Sequence, residues 1–312
     1  MFTSSRRRQD RQTLPNVNLL IAVPNSRQSP GSVDFTRQQR ALVAYFVLVL
    51  AGVVAAALLV ARFPSLLPIA LILLLASWIP NIVGILVTAR VDGRAGLHHL
   101  FARLVRWRFS WTWYGIALLL PVAAVLLAVV AGALLGLPSP HLTTDANVLL
   151  PLLLVNVLAG PLGEELGWRG TALPRLLARW GALSASLVLG VAWWTFHLPG
   201  FALGLFPAGF SPLSSLLGAL AITVLITWMF NNTGGSLIPG SLMHLSVNFA
   251  TSATGVVESP TLYAATVGVL IVAAVAVVLA FGRSRLAKPD VDLGRAMQLA
   301  DETTIMVHPT SS

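Results

Sequence analysis

Eight long apolar stretches separated by short polar turns fill the middle of the chain, at about residues 41–61, 66–88, 111–136, 147–172, 182–198, 213–230, 236–256 and 260–281. Each is close to the roughly 20 residues that an α-helix needs to cross a hydrocarbon layer. This pattern predicts an all-α fold: a polytopic membrane helix bundle of about eight transmembrane helices over residues 40–282. Residues 1–39 carry Arg6, Arg7, Arg8, Arg11, Arg27 and Arg37 among Pro, Ser and Gln, and read as a disordered basic cytoplasmic tail. Residues 283–312 read as a second polar cytoplasmic tail. The first 30 residues lack the apolar core of a signal peptide, so none is expected.

Composition agrees with the pattern. Hydrophobic residues make up 56% of the 312 and charged residues only 10%, against roughly 25% charged in a soluble domain. There is no Cys, which removes disulfides and thiolate metal sites and leaves His, Asp and Glu as possible ligands. A net charge of +9 would suggest nucleic acid in a soluble protein. Here it has a simpler cause. With the N-terminus in the cytoplasm, every Lys and Arg except Arg62 falls on the inner side, as cytoplasmic loops require. Both termini are therefore expected inside, the bilayer is the expected partner, and no nucleic acid is. A chain rich in Ala, Leu and Arg without a targeting segment fits a multi-pass protein of a prokaryotic cytoplasmic membrane. Residues 97–108 read as an interfacial helix, with Trp107, Trp111 and Trp113 at headgroup depth.

Three polar pieces interrupt the apolar second half. The first is Gly163-Glu164-Glu165-Leu166-Gly167-Trp168-Arg169-Gly170, the second Trp193-Trp194-Thr195-Phe196-His197, and the third His244-Leu245-Ser246-Val247-Asn248. An ionised carboxylate inside a membrane is costly and usually marks a reaction or transport path. Glu164 and Glu165 point about 100° apart on a helix. Glu165 and Arg169 have the i, i+4 spacing of an intrahelical ion pair, which leaves Glu164 unpaired within its own helix. That division predicts Glu164 as a general base and Glu165 with Arg169 as support. His244 and Asn248 emerge on one helical face, and Glu164 and His197 are the partners expected for them. One glutamate, two histidines and an asparagine can hold a water or a metal and can donate to an oxyanion. In the span assignment above, however, Glu164 falls near the inner face and His197 near the outer. Contact requires the fourth helix to continue past Arg169, bent at Pro161 or Pro174, or the fifth to start late.

These residues resemble the signature motifs of the CPBP intramembrane proteases, which include the type II CAAX prenyl proteases and the Abi proteins of bacteriocin processing and immunity. The matching text is Glu164-Glu165-x-x-x-Arg169, Trp193 four residues before His197, and His244-x-x-x-Asn248, within a motif core at residues 145–255. One departure is Trp193, which stands where the family's second motif usually has Phe. The resemblance implies an endopeptidase in which Glu164, assisted by His197, activates a water, while His244 and Asn248 stabilise the tetrahedral oxyanion. It implies supporting roles for Glu165, Arg169 and Trp193, and a membrane-embedded or lipidated, CAAX-like peptide as substrate. It also admits zinc held by Glu164, His197 and His244, although the chain has no His-Glu-x-x-His helix. Two other readings stand beside this one: a non-catalytic immunity or scaffolding protein on the same fold, and a proton-coupled transporter with Glu164 as relay. Convergence of Glu164, His197, His244 and Asn248 on one cavity would favour hydrolysis. A string of polar groups across the bilayer would favour transport. Oligomeric state is not legible in the sequence.

Overall fold

The computed structural model describes residues 30–63 and 68–294, and within them every regular element is helical. Twelve α-helices follow in order: α1 (Pro30–Arg62), α2 (Ile69–Ser77), α3 (Ile79–Val91), α4 (Gly93–Ala102), α5 (Trp111–Leu134), α6 (Ala146–Ala159), α7 (Pro161–Glu165), α8 (Leu173–Leu177), α9 (Ala182–Ala202), α10 (Pro212–Asn232), α11 (Ile238–Ala253) and α12 (Pro260–Phe281). A π-helical segment, Leu166–Ala172, joins α7 to α8. The exclusive use of helix follows from the solvent, since hydrocarbon offers no partner to a backbone N–H or C=O. Proline and hydroxyl caps set several starts. Ser211 accepts from the Ser214 N–H ahead of Pro212, and Ser259 accepts from the Leu262 N–H ahead of Pro260.

Seven helical stretches among the described residues are long and apolar enough to cross a membrane: Thr36–Arg62, Leu71–Val91, Trp111–Leu134, Ala146–Leu177, Ala182–Ala202, Pro212–Asn232 and Pro260–Phe281. The protein is thus an integral, multi-pass helical bundle. The expected span at 236–256 is the 16-residue α11. It is short because residues 233–237 are used in a loop that docks on the segment after α4. There Leu237 N–H donates to the Arg103 carbonyl at 3.1 Å, and Ser236 Oγ donates to the Arg106 carbonyl at 2.6 Å. In return the guanidinium groups of Arg103 and Arg106 reach the carbonyls of Gly235 and Gly234. Burial, then the nearby Arg106 and Arg175, pulls Arg103 down to about 10, so it keeps its charge at neutral pH.

Helix α10 is the central post, buried along one side from Ser215 and on nearly all sides from Ala221 to Asn231, with α9, α11 and α12 packed around it. Helix α6 is its opposite and has no buried residue at all.

Four expectations need correction. Helix α1 begins at Pro30, so residues 30–39 are helical, while residues 1–29 lie outside the described residues. The fourth span runs to Leu177 rather than 172, because Arg169 and Arg175 are paired internally and do not end it. Trp113 is buried against Trp228, with ring centroids 4.8 Å apart, whereas Trp107 and Trp111 are exposed as expected. Just after α12 the chain packs instead of leaving the bundle. Leu286 and Ala287 are buried, and Asn232 clasps this turn by donating to the Leu286 carbonyl and accepting from the Lys288 N–H, each at 3.0 Å. Residues 295–312 lie outside the described residues.

The π-helical segment is seated directly on α3. A side chain at Gly167 would collide with the Pro80 carbonyl, and one at Gly84 would lie 2.8 Å from Thr171 Oγ1. With no side chains between them, the two backbones lie close enough for one amide to bridge them. Asn81 accepts from the Gly167 N–H at 2.8 Å and donates to the Leu162 carbonyl at 2.6 Å. It supplies partners that the widened turn cannot. Asn81→Leu should destabilise the fold by about 1–3 kcal/mol for each group left unpaired. Denaturant unfolding in detergent measures this, and a midpoint equal to wild type would contradict the bridging role.

Candidate active site

The adjacent carboxylates on α7 face different partners. Glu165 is buried, and its Oε1 accepts from Arg169 Nη1 at 2.7 Å and from His244 Nδ1 at 2.8 Å. Arg169 also donates to Thr223 Oγ1 on α10 at 3.3 Å, and its guanidinium lies 4.5 Å from the centre of the Trp193 ring. One carboxylate therefore ties together α7, the π-helical segment and α11, and its arginine reaches α9 and α10. Removing one member of such a buried set leaves an uncompensated charge and costs about 3–5 kcal/mol.

Among the described residues Glu164 has no cationic partner. Its Oε2 accepts two indole N–H groups, Trp193 Nε1 at 2.6 Å and Trp168 Nε1 at 3.2 Å. No donor among the described residues reaches Oε1, and Glu164 lines a cavity within the bundle. Two charge-assisted bonds to one oxygen fix the carboxylate and leave the other oxygen available. Trp168 is the i, i+4 neighbour of Glu164, and its uncharged indole gives no sign in the sequence that it is a carboxylate's partner.

The two histidines are oriented alike. His197 Nδ1 lies 2.8 Å from the Trp193 carbonyl, and His244 Nδ1 lies 2.8 Å from the Glu165 carboxylate. Both partners can only accept, so Nδ1 carries the proton in each ring and a neutral ring presents a lone pair at Nε2. His244 does not pair with Glu164 or His197, as the sequence reading expected. Glu165 takes that place because Arg169 already directs it inward. The Asn248 side chain, one helical turn beyond His244, has no hydrogen bond to a described residue.

Glu164, His197, His244 and Asn248 all line one cavity of about 310 Å³. Its remaining wall is largely apolar, with Phe206, Phe210, Val257 and Tyr263 toward one end. The mismatch in depth disappears with the longer fourth span. Glu164 lies 13 residues before Leu177 and His197 lies 15 residues after Ala182, roughly 20 Å and 22 Å from the adjoining ends of the two spans at 1.5 Å per residue. The continuation past Arg169 is the repair that the contact required. A zinc set of Glu164, His197 and His244 fits less well. Among the described residues no group of three His, Asp or Glu side chains comes together as metal ligands.

Known proteins resemble the stretch that carries these residues. Residues 146–250 match the family model of the Type II CAAX prenyl endopeptidase Rce1-like proteins. All seven residues of the three motifs lie inside that match. The chain is also similar to CAAX prenyl protease 2 of Methanococcus maripaludis, with 28% identity over 137 residues. That similarity covers 42% of this chain and 49% of the relative, so the chain spans about half of the relative's length. Fold and site together define a multi-pass membrane protein with a polar cavity inside its helical bundle. The likeness to the Rce1-like family covers residues 146–250, about a third of the chain.

Trp193→Phe keeps an aromatic ring over Arg169 and removes only the shorter of the two donors to Glu164. A hydrogen bond to a charged group contributes about 1.5–3 kcal/mol, so any turnover that depends on Glu164 should fall at least about tenfold while the protein remains folded. Steady-state rates beside circular dichroism measure this. A variant as fast as wild type would show that the indole only fills space.

Proposed function

We propose that this protein is an intramembrane endopeptidase that hydrolyses a peptide bond in a membrane-associated or lipidated, CAAX-like substrate. The observation that carries the reading is the convergence of Glu164, His197, His244 and Asn248 on one cavity inside an apolar bundle. A relay for protons would need polar groups distributed across the bilayer, and here they meet at one depth. The reading of the substrate draws on the name of the relative from Methanococcus maripaludis and on the aromatic end of the cavity. The setting is a prokaryotic cytoplasmic membrane with both termini inside, in keeping with the distribution of Arg and Lys.

The chemistry follows from which atoms are free. Glu164 Oε1 takes one proton from a water whose second hydrogen is held by His197 Nε2. The water oxygen bonds to the scissile carbonyl carbon, and the carbonyl oxygen becomes an oxyanion. The Asn248 amide donates to it directly. His244 donates through Nε2 only as an imidazolium, because its Nδ1–H is committed to Glu165. The Glu165–Arg169 pair carries no net charge, so a protonated His244 would present a positive charge to the oxyanion. The tetrahedral carbon then expels the amine, which takes the proton from Glu164 as the C–N bond breaks, and the carboxylate is restored. No step passes through a metal.

The test is cleavage of a farnesylated CAAX-terminated reporter peptide and of an unlipidated transmembrane peptide by purified protein in liposomes. Glu164→Ala and His197→Ala should each reduce cleavage at least about 100-fold, and a chelator should leave the wild-type rate unchanged. Variants as active as wild type would overturn the assignment of the site. Absence of cleavage of both probes by the wild type would favour a non-catalytic immunity or scaffolding role.

A further inference from the structure

The chain breaks between α6 and α7 at Gly160, which lines the cavity beside Glu164. A Cβ atom placed on Gly160 would lie 3.3 Å from Asn248 Nδ2 and 3.5 Å from His244 Nε2. Neither atom is hydrogen-bonded to a described residue. A methyl group there would therefore stand against both at once, in the space through which an acceptor must approach them. The same Cβ would lie 2.6 Å from the Asn156 carbonyl, so it has no room to swing aside without moving the end of α6. Backbone approach of this closeness is what glycine permits.

We propose that Gly160 is a positioning residue of the site: its bare α-carbon keeps open the approach to Asn248 Nδ2 and His244 Nε2, so that the scissile carbonyl oxygen reaches both. The inference rests on the hydrolytic reading above. It adds a wall to that site, one supplied by backbone rather than by a side chain. Gly163, three residues further on, is tight for a different reason. A Cβ there would meet the Ser77 carbonyl at 2.8 Å, a packing contact with the helix behind rather than with the cavity.

Because oxyanion donors act on the transition state rather than on bound substrate, loss of access to them lowers kcat and leaves KM nearly unchanged. Removal of one such donor typically costs about 100-fold or more in kcat, and Gly160→Ala should cost about that much on the farnesylated reporter in liposomes. A purely structural effect would also slow the enzyme, so the deciding measurement is a double-mutant cycle with Asn248→Ala. If Gly160 acts by exposing Asn248, adding Gly160→Ala to Asn248→Ala should cost far less than it does in the wild type. An equal fold-loss in both backgrounds, or a rise in KM with kcat intact, would overturn the proposal. A Gly160→Ala variant with wild-type kcat would do the same. Turnover that requires Glu164 but is indifferent to Gly160→Ala sinks this inference alone. Failure of the wild type to cleave removes both readings.

Discussion

Everything at the centre of this bundle depends on one buried carboxylate oxygen. Glu165 Oε1 accepts from Arg169 and from His244 at nearly the same distance, deep among helices where no bulk water can replace either donor. The pairing costs desolvation of three polar groups, which makes it weak evidence for stability by itself. Its structural consequence is geometric. The bond to His244 sets the ring's proton on Nδ1 and so determines what Nε2 presents to the cavity. The bond to Arg169 carries the guanidinium over Trp193, whose indole then reaches Glu164. One acid thus orients the other, through the guanidinium and the indole on which it lies.

Close backbone contact serves the same end. Regular α-helix would rotate Glu164, Glu165, Trp168 and Arg169 about one axis in equal steps. The widened turn at Leu166–Ala172 alters that spacing, a feature that recurs at functional sites in helical proteins. It is tolerated here because Gly84 and Gly167 let α3 approach, and because Asn81 supplies the missing backbone partners. Behind it, Tyr45 and Phe46 of α1 pack on Trp168. The indole that holds Glu164 from one side is therefore fixed by a helix more than a hundred residues earlier in the chain.

Much of this was legible in the sequence, and the reasons differ from element to element. The spans were visible because hydrocarbon thickness sets their length. The Glu165–Arg169 pair was visible because it lies within one helix, and the convergence of the three motifs because isolated polar groups in an apolar setting need one another. What escaped notice depends on contacts between distant segments. Arg175 looks like the end of a span until its partner Asp92, 83 residues earlier, is known. Trp113 has the composition of an interface residue, and only the position of Trp228 makes it a core residue. The packing of Leu286 beneath a polar tail depends on Asn232, 54 residues earlier, and no local pattern announces it.

The pairing of Glu165 with His244 also bears on biogenesis. A translocon reads each segment as it emerges, and a charged residue at the middle of a helix adds about 2.5–3.5 kcal/mol to the free energy of insertion. The stretch Ala146–Leu177 enters with Glu164, Glu165, Arg169 and Arg175. Within the segment itself Glu165 meets Arg169, Glu164 meets only the Trp168 indole, and Arg175 meets the Thr171 carbonyl. His244 is 79 residues further along the chain and Trp193 is 29. The fourth span therefore spends a considerable part of synthesis with its acids only partly satisfied, sustained by the hydrophobicity of its first half, Ala146–Ala159. Its final hydrogen bonds close only when α11 arrives, so for this segment insertion and folding are one process.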